Sequence, residues 1–162
     1  MNGVMPPVAA LTALSSGVLG GVFFGFSTLV MPALHRLPTP QAVTTMQQIN
    51  AAAPGSLLMV PLTTSAAGSL AVAAWALTGP GVHGRAWLLV GAGAGLACFA
   101  VTAAYHVPRN DALATWNPTA THTGDLWATY LRGWTAMNHV RGALGVAAAV
   151  ATTVGLARGW RG

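Results

Sequence analysis

Four apolar runs, each long enough to cross a lipid bilayer, leave this chain few folds to adopt. They cover residues 8–33, 57–77, 86–105 and 137–157. A hydrocarbon core of about 30 Å is crossed by about 20 helical residues, and every run meets that length. Helices of a soluble bundle carry a polar stripe; these carry almost none. Inside lipid the backbone must satisfy its own hydrogen bonds, so each run is predicted as a helix. The expected fold is all-α, a four-helix transmembrane bundle in one domain over residues 1–162.

Charge is too scarce to cover a water-facing shell. Only 6% of the residues are charged, with no Lys and no Glu, against about 25% in a soluble domain. The lipid bilayer is therefore the expected solvent, and the chain reads as a multi-pass integral membrane protein. The net charge of +5 rests on arginines scattered along the chain. Nucleic-acid binding needs a clustered basic face and is excluded. Cys98 is alone in an apolar run, so neither a disulfide framework nor a cysteine-rich metal site is available. The N-terminus lacks a basic n-region, and the run behind it outlasts a signal h-region, so it reads as a retained span.

Four spans put both termini on one side. Arg85, Arg158 and Arg161 flank that side, and Arg36, Arg109, Arg132 and Arg141 flank the other. If Arg109 and Arg141 belong to a site, the positive-inside rule favours cytoplasmic termini. His35, His106, His122 and His139 fall on one face of the membrane, and His83 on the opposite one.

The connectors carry their own signals. Pro38-Thr39-Pro40 stops the first span and opens a short helix, which suits the membrane interface and ends at Pro54-Gly55. Residues 78–85 form a bare turn. Residues 107–135 form the long connector, with Pro108, Asn110, Asn117, Pro118 and Gly124 as turn residues. From Asp125 it reads as helix, so the fourth helix is predicted to extend out of the membrane, beginning near Gly124. Trp127, Tyr130 and Trp134 sit where an aromatic belt belongs. Gly17, Gly21 and Gly25 recur every four residues, a spacing that permits close helix contact or a homo-oligomer. Gly91, Gly93 and Gly95 lie inside a span and not after a strand, so they read as packing positions rather than a nucleotide loop.

Polar residues gather at two places, 105–111 and 134–141. Ionisable groups kept in such surroundings mark a functional site by default. Arg109 and Asn110 follow the third span, and Asn138 and Arg141 open the fourth. Consecutive antiparallel helices pack as neighbours, so the two pairs are predicted to meet near the lipid headgroups. On a helical wheel Trp127, Leu131, Trp134, Asn138 and Arg141 share one face, while His139 points about 160° from Arg141. A structural reading pairs Arg109, Arg132 and Arg141 with Asp111, Asp125 or lipid phosphate. In the same reading Asn110-Asp111 caps a helix or turn.

Several blocks carry a resemblance. They are residues 23–34, FFGFSTLVMPAL; residues 46–50, MQQIN; residues 105–113, YHVPRNDAL; and residues 127–141, with the core Asn138-His139-Val140-Arg141. In this order they resemble the DUF1772, or anthrone oxygenase-like, family of small integral membrane proteins. The resemblance implies four membrane helices with no large soluble part. It also implies oxidation of anthrones to anthraquinones, with a hydrophobic small molecule and dioxygen as partners and apparently no cofactor.

For that chemistry the chain needs a base, a cation beside an oxyanion, and a dry apolar pocket. His106 or His139 is the expected base. Arg109 or Arg141 is the expected anion holder. Asn50, Asn110 and Asn138 would donate hydrogen bonds, and Trp127, Tyr130 and Trp134 would stack on a flat polycycle. A rival reading makes the protein an oxidoreductase with copper or iron on His35, His106, His122 and His139. No two of these histidines have the i, i+4 spacing of a helical metal pair. A third reading is a non-enzymatic small-molecule binding or assembly protein. The apolar spans lack midmembrane ionisable residues, which argues against an ion-coupled transporter.

Overall fold

The computed structural model describes residues 3–159, and Arg161, counted above for topology, lies outside them. Four long helices are apolar enough to cross a membrane: α1 (Met5–His35), α3 (Met59–Thr78), α4 (Arg85–Ala114) and α5 (Thr123–Gly159). A shorter helix, α2 (Thr39–Ala52), fills the first connector. No strand occurs among the described residues. α1 and α4 each pack against both α3 and α5, closing a four-membered bundle.

Small residues set the close seams, as expected in lipid, where packing rather than water exclusion drives helix association. A Cβ on Gly145 would lie 2.9 Å from the Gly20 nitrogen and 3.0 Å from the Ser16 carbonyl oxygen. One on Gly91 would lie 2.8 Å from the Thr152 nitrogen. Gly91 and Gly95 are thus packing positions, while Gly93 faces open space. The regular Gly17, Gly21 and Gly25 series is not the seam within the chain. A Cβ at Gly21 or Gly25 would meet nothing within 4 Å, and one on Gly17 would make only ordinary contact with Ala149. The glycine nearest the partner helix on α1 is Gly20, off the expected register.

Two helices carry a proline across a widened turn. Phe26–Val30 in α1 and Thr102–His106 in α4 are π-helical. In each, the amide just before the proline reaches back five residues: Met31 N–H to the Phe26 carbonyl, Val107 N–H to the Thr102 carbonyl. Pro32 and Pro108 follow directly. The wider turn gives the pyrrolidine ring room where an α-turn would clash, so the helix continues. This corrects the expected third span. The helix does not stop near Tyr105, and Pro108 and Asn110 are helical rather than turn residues. α4 runs on to Ala114, and the long connector shrinks to residues 115–122.

α2 lies across the connector end of the bundle. It buries Ala42, Val43 and Met46 against Met31, Leu34, Leu113, Trp127, Tyr130 and Trp134. Gln47 Nε2 donates to the Leu113 and Trp116 carbonyls, at 2.9 and 3.0 Å. The bond to Leu113 adds to the one its carbonyl takes from the Trp116 amide, and the pair pins α2 to the end of α4 and the turn after it. The opposite end turns through Gly81 and Gly84, both at positive φ, and Gly84 packs on the Gly155 carbonyl. His83 lies in that turn.

Candidate functional site

Where α1, α4 and α5 meet below α2, polar side chains replace the apolar lining. Asn138 is fully buried and donates from Nδ2 to the Phe23 carbonyl at 2.6 Å and to Ser27 Oγ at 2.8 Å. Its Oδ1 accepts from Nη2 of Arg141, one turn further along α5. Arg141 is also buried, and Nη1 donates to Thr102 Oγ1 at 3.4 Å. Thr102 in turn donates to the Cys98 carbonyl. The Arg141 guanidinium carbon lies 4.1 Å from the Phe23 ring centre and 5.4 Å from that of Trp134. Its Nε has no hydrogen-bond partner. None of these partners is a carboxylate, and Asp111 and Asp125 are both exposed. A buried charge in low dielectric is strongly unfavourable without a counter-charge.

His106 ends the π-turn of α4 with 1% of its surface exposed. Both ring nitrogens lack a hydrogen-bond partner. The ring stands edge-on to Trp134, centroids 4.9 Å apart, and to Tyr105 at 5.4 Å. Trp134 therefore touches both His106 and Arg141.

Trp134 also joins this cluster to a second one. Its Nε1 donates to Asn110 Oδ1 at 3.0 Å, and the Tyr130 hydroxyl donates to the same oxygen at 2.9 Å. Asn50 Nδ2, on α2, lies 3.4 Å from the Tyr130 hydroxyl. Asn110 is no helix cap; it is an acceptor held between two aromatic donors. Trp127 stacks on Tyr130 at 5.6 Å. Trp127, Tyr130 and Trp134 are all buried and turned inward, which corrects the aromatic-belt expectation. The reason lies in α2, which covers the extended start of α5 and takes the place of lipid headgroups there.

The structure brings together Asn50, His106, Asn110, Trp127, Tyr130, Trp134, Asn138 and Arg141, and leaves two candidates apart. Arg109 is exposed, its guanidinium 3.5 Å over the Tyr105 ring. His139 is exposed on the far side of α5 and lines an outer groove with His35 and Arg132. The four histidines of the metal reading are likewise not gathered. His35, His122 and His139 are exposed while His106 is buried. No group of three or more potential ligands forms among the described residues. His106 is buried in the bundle, His35 and His139 face the outer groove, and His122 is exposed in the turn before α5.

Sequence reading missed Phe23, Phe26, Ser27 and Thr102. Ser27 and Thr102 were visible as hydroxyls inside apolar runs close to prolines, but a hydroxyl can bond its own helix and is a weak signal. Phe26, the first residue of the α1 π-turn, packs on Trp134 with centroids 6.0 Å apart. It also lines an apolar groove of about 620 Å³ between α1, the end of α2 and the start of α3.

No curated protein and no solved structure matches the chain. A family model described as anthrone oxygenase matches residues 54–151, more than half of the chain. The matched stretch contains α3, α4 and the polar start of α5, with His106, Asn110, Trp134, Asn138 and Arg141. With four bilayer-length apolar helices and this match, the chain is an integral membrane protein that belongs to the anthrone oxygenase family.

Proposed function

We propose that the protein oxidises a flat, apolar, anthrone-like substrate with dioxygen inside the membrane. The observation that carries this reading is a buried arginine with no carboxylate among its described partners, beside a buried histidine neither of whose ring nitrogens makes a hydrogen bond of ordinary geometry. Such a pair suits a substrate that enters neutral and becomes an anion.

In the proposed reaction a free nitrogen of His106 takes one proton from the methylene between the two aryl rings. The charge moves to the ketone oxygen, where Arg141 holds it in a site from which water is excluded. The electron-rich anion passes one electron to dioxygen, giving a carbon radical and superoxide. They combine to form a C–O bond. His106 returns its proton to the distal peroxide oxygen. The O–O bond then breaks as the second methylene hydrogen leaves with that oxygen as water. One dioxygen is consumed and one water released, and the CH₂ becomes C=O. Asn138 positions Arg141, and Trp134 offers a face for the flat substrate.

The test is quinone formation and oxygen uptake from anthrone by purified protein in lipid nanodiscs, above the spontaneous oxidation rate. Arg141→Gln and His106→Phe are each expected to lower the catalysed rate by about 10²-fold or more. Rates equal to the parent's in both variants would overturn the proposal.

A further inference from the structure

The polar cluster is sealed. His106 and Arg141 are buried and line none of the five main surface grooves. A tricyclic substrate therefore needs a way in, and one groove lies a single side chain from the cluster. It opens toward the lipid-facing side between α1 and α3, roofed by the end of α2. Its walls include Val18, Val22, Phe26, Ile49, Ala53 and Leu58. Phe26 and Ile49 also pack on the aromatic cluster that holds Trp134. Val22 and Leu58 pack on the cluster that holds Phe23, whose ring lies against Arg141. On the Phe26 side the ring of Trp134 stands between the groove wall and the Arg141 guanidinium. Its volume, about 620 Å³, falls within the range of about 300–1,000 Å³ for small-molecule sites.

We infer that this groove admits and binds the substrate from the lipid, and that Phe26 is the movable side chain separating it from Trp134 and His106. The inference rests on the proposed oxidation for the identity of the substrate, a flat polycyclic aromatic carrying one ionisable oxygen. Three features argue for this occupant. The lining is apolar apart from Ser56 at the rim, which suits a ring system partitioned into lipid. The unmatched cation of Arg141 lies behind the wall, on the other side of Trp134. Phe26 opens a π-turn, a local widening that often marks functional positions in helices. The ring is only partly buried, touching Trp134 on one side and the open groove on the other. Rotating it outward is the motion that would expose the Trp134 face to the groove.

The experiment uses 9,10-anthraquinone, which is flat and already oxidised, so binding is read without turnover. Binding to the full-length protein in nanodiscs is followed by equilibrium dialysis, with anthraquinone read by its absorbance against empty nanodiscs, in the parent and in three variants. Ala53→Trp fills the groove from the turn after α2, and Val18→Trp fills it from the rim of α1, where Val18 is exposed. Ala147→Trp fills a different groove on the outer side of α1 and α5 and serves as the control. Both blocking variants are expected to weaken binding at least about tenfold, a modest loss for an aromatic contact area of this kind, and the control is expected to leave it unchanged. Unchanged binding in a folded Val18→Trp protein would overturn the inference. So would loss of binding only in Ala147→Trp, or no binding by the parent. If anthraquinone binds and the blocking variants abolish it while anthrone is not oxidised, the groove stands and the proposed reaction falls. If anthrone is oxidised equally by parent and blocking variants, the reaction stands and the groove falls.

Discussion

Arg141 donates to Asn138 Oδ1, and Asn138 uses its amide hydrogens on the Phe23 carbonyl and the Ser27 hydroxyl. The pair therefore ties the fourth span to the first through neutral groups alone and leaves the positive charge of Arg141 unmatched by any described carboxylate. A purely structural ion pair would leave no such surplus.

Arg141→Gln separates holding the fold from holding an anion. The variant loses a charge that no described carboxylate balances, so the fold is expected to persist, with a helix spectrum and a monodisperse detergent profile like the parent's. Turnover of anthrone is expected to fall by about 10²-fold or more. A protein that aggregates in detergent, or one that works at the parent's rate, would place Arg141 in the framework instead.

His106→Phe tests the base. The imidazole nitrogens make no hydrogen bond and its packing is edge-on to aromatic rings. A ring of similar shape without polar atoms is expected to be neutral or slightly stabilising, since no buried partner is orphaned. Quinone formation is expected to vanish into the spontaneous background. His139→Ala, at an exposed position, is expected to change neither stability nor rate.

Asn110→Leu removes the shared acceptor of Tyr130 and Trp134. Each donor left buried without a partner costs about 1–3 kcal/mol. Thermal unfolding in detergent should show a clear drop, and a transition at the parent's temperature would contradict the assigned geometry.

Glycine positions separate the seam from the series. Gly145→Val drives a side chain into the backbone of α1 and is expected to destabilise by about 1–3 kcal/mol or more. Gly21→Ala meets open space and is expected to stabilise by about 0.5–1 kcal/mol through reduced chain entropy. Equal effects at the two positions would refute the α1–α5 register.

Membrane sidedness has a direct check. Arg36 and His83 are exposed at opposite ends of the bundle, and the native Cys98 is buried. Arg36→Cys and His83→Cys should label from opposite sides of intact cells with an impermeant maleimide. Labelling of both from one side would contradict the four-span count.

The number of spans, the short helix after Pro38 and the early start of the last helix near Gly124 were legible from residue types, because bilayer thickness and backbone satisfaction leave few alternatives. Asn138 and Arg141 sharing a face with Trp134 followed from the 3.6-residue period alone. Period and composition say nothing about what lies opposite a face, and tertiary structure decided the rest. Trp127, Tyr130 and Trp134 turn inward because α2 folds over them. Arg109 stays outside while Asn110 turns in, because α4 continues through Pro108 and consecutive helical residues point about 100° apart. Gly20 rather than its regularly spaced neighbours forms the seam, because which side of α1 meets α5 depends on the packing of all four spans. A helix specifies its own faces, but only its neighbours determine which of them becomes a site.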